Sequence, residues 1–264
     1  TLIWGIANPM PDQRMARHGT ADGTSKTAPA DLYSNSTVAI DVNTGKLKWY
    51  YQHLPGDDWD EDINEERTII RTKVNPNPKY IKWINPDVPK GQQHDIVVNV
   101  GEGGGLFALD KHTGKFLWAT PFPSDVPNFI LSDIDVHTGA TRINRKVVAN
   151  KPGDENTVCF FNTRSYWQTS YNPRNNSLYV PYINNCLKMK AGGIAGNRPA
   201  GNNAAGGAGG LTVSFVPTPR LRYGADDLGG CGANVCFASG GGGGGVFGFV
   251  NEGTLVVVAF ICGI

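Results

Sequence analysis

Three absences narrow the reading before any motif is considered. The chain has no run of the ~20 apolar residues that a membrane-spanning helix needs, and its apolar tail, Thr254 to Ile264, is only eleven residues long. It has no excess of charge: 24 basic residues against 23 acidic ones leave +1, which is no electrostatic footprint for nucleic acid or an anionic membrane. Its five cysteines, Cys159, Cys186, Cys231, Cys236 and Cys262, contain no Cys-x-x-Cys pair, and no histidine follows Cys236. Zinc and c-type haem are therefore unsupported, and the cysteines read as structural with no pairing implied. A secretory leader is not visible either, but the chain opens mid-pattern at Thr1-Leu-Ile-Trp-Gly5, so that absence says nothing about compartment.

What is abundant is punctuation. Glycine occurs 34 times and proline 17 times, which describes a turn-rich all-β chain better than a helical one. At 264 residues the chain is long enough for one or two domains.

A repeat gives the turns an order. Ser36-Thr-Val-Ala-Ile-Asp-Val-Asn-Thr-Gly-Lys-Leu-Lys-Trp49 is echoed by Gly105-Leu-Phe-Ala-Leu-Asp-Lys-His-Thr-Gly-Lys-Phe-Leu-Trp118. Ala39, Asp41, Thr44, Gly45, Lys46 and Trp49 recur as Ala108, Asp110, Thr113, Gly114, Lys115 and Trp118, each 69 residues on. A weaker copy, Ile134-Asp-Val-His-Thr-Gly139, keeps the aspartate, threonine and glycine without the tryptophan. Each copy reads as a hairpin in which the aspartate caps the turn and the glycine takes a backbone angle that a Cβ resists. Repeated antiparallel units, each with a tryptophan to dock on its neighbour, predict a β-propeller. At 69 residues per unit the chain holds three to four blades, so it reads as part of a larger ring.

The most charged stretch follows the first repeat. Pro55-Gly-Asp-Asp-Trp-Asp-Glu-Asp62 packs four aspartates and a glutamate around one tryptophan, an arrangement that like-charge repulsion disfavours unless water or a cation relieves it. Asp57, Asp58 and Glu61 are read as solvated. Asp60 and Asp62, two apart in an extended segment, share one side. Elsewhere, strands are expected at Leu2 to Trp4, Glu65 to Val74, Ile96 to Val100 and around a turn within Tyr171 to Pro181. Loops are expected at 19–31 and from Asn75 to Pro89, the latter anchored by Tyr80, Ile81 and Trp83. Residues 1–190 form one region. Residues 191–264 form another, with 21 of the glycines, no lysine and no tryptophan, and no chemistry can be assigned to it.

Four pieces together resemble the pyrroloquinoline quinone (PQQ)-dependent alcohol dehydrogenases, an eight-bladed propeller family. They are Trp4-Gly-Ile-Ala-Asn-Pro-Met-Pro11, Asp31-Leu-Tyr-Ser-Asn-Ser36, the two Asp-x-x-Thr-Gly-Lys-x-x-Trp hairpins, and Pro55-Gly-Asp-Asp-Trp-Asp60. Tyr171 to Cys186 also looks like a family segment. The resemblance covers roughly residues 2–190 and implies an enzyme that oxidises an alcohol, polyol or sugar hydroxyl by hydride transfer to a metal-bound quinone. It implies Asp60 as the base and as a metal ligand, Asn8 as a second ligand, and Asp62 as the additional aspartate that the family associates with lanthanide use. Hard oxygen donors of this kind suit calcium, and more negative ones favour a trivalent ion; both metals are carried forward. Glu102 falls where the family places a basic residue near the quinone. Trp167 has two readings, a wall of the cofactor site and core packing. The family's remaining ligands belong to earlier blades that this chain does not contain. The resemblance further implies a periplasmic location, a cytochrome c or quinone as electron acceptor, no nucleic acid or membrane span, and is compatible with a homodimer.

Two rival readings stand beside the enzyme. Related propellers with the same tryptophan repeats serve as non-catalytic scaffolds in outer-membrane assembly, and a calcium-stabilised binding propeller would need no redox role. The hairpins suit all three. Asn8 and the Trp59-Asp60 pair separate them, because a scaffold has no reason to hold hard ligands in that register.

Overall fold

A computed structural model describes residues 1–10, 12, 14, 17, 30–149, 151, 153–164 and 167–191, together with the backbone of 214–217, 235–237, 250–251 and 254–262. The loop expected at 19–31, apart from residues 30 and 31, and most of the glycine-rich stretch therefore lie outside the described residues. Apart from helical backbone at Arg14 and Arg17 and a 3-10 turn at Arg145–Val147, the regular structure described is strand.

The first sheet is antiparallel and consists of β1 (Leu2–Ile6), β2 (Ser36–Ile40) and β3 (Leu47–Gln52). The second contains β4 (Thr68–Lys73), β5 (Trp83–Ile84), β6 (Gln93–Gly101), β7 (Gly104–Asp110) and β8 (Phe116–Thr120), in the spatial order β4-β6-β7-β8-β5. Next come a hairpin of β9 (Leu131–Ile134) and β10 (Thr141–Ile143), then β11 (Glu155–Cys159), β12 (Ser170–Asn172), β13 (Ser177–Ile183) and β14 (Asn185–Lys190). The later strands β15 (Ser214–Pro217), β16 (Val235–Phe237), β17 (Val250–Asn251) and β18 (Thr254–Cys262) join sheets begun earlier: β15 pairs with β14, and β18 pairs with β13. The segment Asn75 to Pro89 is not wholly loop. Trp83 and Ile84 form β5 because they pair with Ala119 and Trp118 at the edge of the second sheet.

The repeat is a repeat of backbone. Ala39 pairs with Trp49 as Ala108 pairs with Trp118, and both hairpins shift register one residue later, at Ala39/Ile40 and Ala108/Leu109. The carboxylate of Asp41 accepts the N–H groups of Asn43 and Thr44, both at 3.0 Å. Asp110 takes those of His112 and Thr113 at 2.9 and 2.6 Å, and Asp135 those of His137 and Thr138 at 2.9 and 3.1 Å. The weak third copy is thus the same turn.

The sheets stack face to face, and the second is buried on both sides. Phe107, Leu109, Phe116 and Ala119 face Trp49 and Tyr51 of the first sheet, while Val98, Val100, Leu106, Ala108 and Trp118 face Leu178, Val180 and Tyr182. Two buried faces explain why β6 and β7 read as nearly continuous apolar runs rather than as alternation. The turn glycines seat the contact between sheets. A Cβ on Gly114 would lie 2.4 Å from Trp49 Cε3, and one on Gly139 would lie 2.8 Å from Tyr51 Cε2. The Tyr51 hydroxyl also donates to the Gly139 carbonyl at 2.8 Å.

Sequence composition alone does not pair the cysteines, but strand register does. Cys159 of β11 lies opposite Cys186 of β14, and the two form a disulfide spanning 27 residues.

Gly45 and Gly114 separate backbone strain from docking. Both are left-handed, with φ of +69° and +71°, but a Cβ on Gly45 meets nothing within 4 Å. Gly45→Ala is expected to cost about 1–2 kcal/mol from the backbone alone. Gly114→Ala should cost about 1–3 kcal/mol more, because it pushes against a packed ring. Urea unfolding of the full chain measures both; equal losses would mean that Trp49 is not seated on the turn.

Candidate metal and cofactor site

The acidic segment leaves β3 and is turned at once by its own side chain. Asp57, fully buried, accepts the N–H of Trp59 at 2.6 Å, the N–H of Glu61 at 2.8 Å and the amide of Asn35 at 3.0 Å. Trp59, 1% exposed, is locked in the core by its indole N–H on the Val147 carbonyl at 3.0 Å. With Trp59 inward, Asp60 is turned outward at φ +64°, a left-handed angle that aspartate tolerates better than most residues. From there the chain alternates: Glu61 and Ile63 are buried, while Asp62 and Asn64 face the side of Asp60.

Asn8, at the end of β1, meets that side. Its backbone N–H donates to Asp62 Oδ1 at 3.0 Å and its side-chain amide to Asp60 Oδ1 at 2.8 Å. The same amide reaches Asp12 Oδ1 at 3.2 Å. An amide is nearly symmetric in shape, so half a turn presents Oδ1 to the carboxylates' side instead. Burial, then the neighbouring Asp62, raises the Asp60 carboxyl above its ordinary range, against the pull of Asn8. Burial and then Asp60 raise Asp12 likewise.

The structure therefore brings together Asn8, Asp60 and Asp62, and adds Asp12, which motif reading missed although it lies one turn beyond Asn8. Glu102 also reaches this group. It lies in the turn between β6 and β7, accepts the Asp62 N–H at 3.2 Å, donates its own N–H to the Asp62 carbonyl at 3.0 Å, and accepts the Thr163 N–H at 2.7 Å through its carbonyl. Trp167 does not join it through any hydrogen bond or ring contact among the described residues. At 38% exposed it is not core packing either.

The solvated reading of Asp57, Asp58 and Glu61 is overturned: all three are buried. Asp57 is a turn cap. Asp58 takes the Arg14 N–H at 2.7 Å and lies 3.1 Å from its Nε, close enough for Coulomb attraction though off the hydrogen-bond direction. Among the described residues Glu61 has no cation beside it, and burial, then Asp57 and Glu102, push its carboxyl well above the usual range and favour the neutral acid. Arg14 and Arg17, three residues apart in helical backbone, were the available signal that part of the acidic cluster is internally paired.

These residues fit a cation in kind and charge. The donors are all hard oxygens, and no lysine or arginine among the described residues is within ion-pairing distance of Asp60 or Asp62. They are not closed into a complete coordination sphere: among the described residues no three His, Cys, Asp or Glu side chains stand together at metal-binding spacing.

Comparison with known proteins places the chain. Residues 18–121 match the family described as PQQ: glucose/ethanol/alcohol dehydrogenase, β-propeller domain. That stretch is similar to part of this β-propeller domain. The chain is 26% identical over 236 residues to a putative dehydrogenase XoxF of Paracoccus denitrificans, covering 84% of this chain and 36% of the relative. It is 30% identical over 139 residues to a quinoprotein ethanol dehydrogenase of Pseudomonas putida, covering 53% of this chain and 19% of the relative. Among solved structures, a europium-containing methanol dehydrogenase superposes with a TM-score of 0.59 at 22% identity, over 81% of this chain and 32% of that one. The quinohemoprotein alcohol dehydrogenase of Comamonas testosteroni gives 0.55 at 24% identity, over 72% and 24%. The all-β sheets described above thus share the β-propeller fold of these solved structures, and the chain spans about a third or less of these relatives' lengths.

The buried acids of this chain make its stability depend on pH. Burial pushes Asp57 up to about 7 and Glu65 up to about 8, the latter against the pull of Arg164 and Arg67. Between the unfolded carboxylate range near ~4 and these folded values the native chain binds more protons than the unfolded one, so stability falls as pH rises. In chelator, the urea midpoint should be lower at pH 8 than at pH 5, and Glu65→Gln should flatten the slope. A midpoint that rises across this window would contradict the assignment.

Proposed function

We propose that this chain is the part of a PQQ-dependent dehydrogenase that holds the catalytic base and one side of the cation. The observation that carries the reading is the meeting of Asn8 with both Asp60 and Asp62 at 3.0 Å or less. Similarity to alcohol, ethanol and methanol dehydrogenases supports an alcohol hydroxyl as the substrate group, ahead of a polyol or sugar.

In this reading Asn8, Asp60 and Asp62 hold the metal, with Asn8 turning its amide oxygen inward. When bound, the metal-polarised quinone supplies a two-electron acceptor for the hydrogen leaving the carbinol carbon. Asp60 does the proton work: its carboxylate accepts the substrate hydroxyl proton, and the hydrogen bond it takes from the Asn8 amide is given up when that amide turns. A cation beside Asp60 keeps the carboxylate ionised, reversing the upward push of burial. Trp59 keeps that carboxylate aimed outward, and Trp167, exposed in the connection between β11 and β12, offers an apolar wall. Glu102, although it stands where the family has a basic residue, holds the Asp62 backbone.

Between calcium and a lanthanide, Asp62 and the europium-containing neighbour favour the lanthanide. The quinohemoprotein relatives support a cytochrome c as acceptor, with a quinone as the alternative. The Cys159–Cys186 disulfide supports an oxidising compartment, the periplasm. The scaffold and the calcium-stabilised binding propeller remain rivals that lose ground because neither has a use for an outward base.

In full-length protein reconstituted with PQQ and lanthanum or calcium, Asp60→Asn is expected to lower dye-linked alcohol oxidation by about 100-fold or more, with an unchanged circular dichroism spectrum. Undiminished turnover would refute the base. Asp62→Ala is expected to weaken activation by lanthanum more than by calcium; equal losses would refute its selective role.

A further inference from the structure

Two guanidinium groups lie beneath the acidic segment, where burial is unfavourable unless each is paired. Arg14 is 2% exposed and the Arg17 side chain 6%. Arg14 grips Asp58 through its N–H at 2.7 Å and its Nε at 3.1 Å, and donates Nη2 to the Gly56 carbonyl. Arg17 donates to the Asp57 carbonyl at 2.7 Å and to the Asp12 carbonyl at 2.6 Å, and pairs with Asp31 at 3.1 Å.

The contacts to Gly56, Asp57 and Asp58 join two short pieces of chain. One is the arm carrying Asn8, Asp12, Arg14 and Arg17; the other is the loop carrying Gly56, Asp57, Asp58, Asp60 and Asp62. The arm meets the loop twice: at one end Asn8 faces Asp60 and Asp62, at the other Arg14 and Arg17 clasp residues 56–58. Because Asp58 and Asp60 are two residues apart, any slip at the arginine end moves the gap between Asn8 and the two carboxylates.

We propose that Arg14, supported by Arg17, is a positioning residue that sets this gap and with it the size of cation the site prefers. The inference rests on the cation site proposed above and deepens it, assigning the selectivity among hard di- and trivalent ions to a bracket that touches none of them. Asp58 is the other half of the bracket, so Arg14 and Asp58 should behave as one unit.

The test is binding of Tb3+ to the full chain, read as luminescence excited through tryptophan, with Ca2+ as competitor. Wild-type protein is expected to bind Tb3+ saturably. Arg14→Gln should weaken Tb3+ by about tenfold or more and change the ratio of Tb3+ to Ca2+ affinity, which a merely structural loss would leave unchanged. Asp58→Asn keeps an acceptor for the Arg14 N–H while removing the charge; it should shift the ratio the same way, and the double variant should do no more than Arg14→Gln. If Arg14→Gln fails to fold, by near-ultraviolet circular dichroism, Asp58→Asn alone decides. An unchanged ratio, or additive effects, overturns the bracket while leaving the cation site standing. Absence of saturable Tb3+ binding in wild type overturns the site and the bracket together.

Discussion

The carboxylate of Asp57 determines which way the acidic segment faces. It closes on the N–H groups of Trp59 and Glu61 and is steadied by Asn35, all inside the core. Without that cap, Trp59 has no fixed route into the interior, and Asp60 has no reason to occupy a left-handed angle pointing outward. The two carboxylates opposite Asn8 are aligned because a third, buried one has already turned the chain. A charged side chain that looks like surface decoration is thus the internal hinge of the site.

The propeller supplies the frame on which this hinge rests. The aspartate–threonine–glycine turn appears three times with nearly the same hydrogen bonds, and in two of the three its glycine lies where a ring from another hairpin must approach closely: Trp49 on Gly114, Tyr51 on Gly139. The second sheet, apolar on both faces, is held between its neighbours. Its β6–β7 turn then presents Glu102 to the Asp62 backbone, so packing between sheets is transmitted to the rim of the site.

The periodic features were legible in the sequence and the local exceptions were not. Identities at a constant offset reveal a hairpin because the same turn needs the same capping aspartate and the same glycine. Asn8 and Asp60 were singled out by the resemblance to the dehydrogenase family, and Asp62 by its spacing of two from Asp60, which in an extended segment puts side chains on one side. Burial of Asp57, Asp58 and Glu61 was not legible, since a run of acids looks solvated until the arginines beneath it are placed. Arg14 and Arg17 are separated from those acids by some forty residues of chain, and only the fold closes that distance. The Cys159–Cys186 bond was hidden for the same reason: it follows from β11 lying against β14, which cysteine spacing does not encode. The short strand at Trp83 was hidden by flanking prolines, because an edge strand needs few hydrogen bonds and tolerates what a central strand would not.

Charge partition inside the loop argues most strongly against an ordinary acidic turn. A solvated turn would leave its five acids equivalent, each screened by water. Here three are settled internally by different means: Asp57 by backbone N–H groups, Asp58 by Arg14, and Glu61 by burial that favours its neutral form. Among the described residues Asp60 and Asp62 have amide partners only, side by side, facing Asn8. Two adjacent carboxylates raise each other's free energy, and that repulsion is relieved by a positive charge placed between them. The chain has positive side chains close at hand and spends them on Asp58 and Asp31 instead. On the function proposed above, these two carboxylates take a charge that comes from outside the protein.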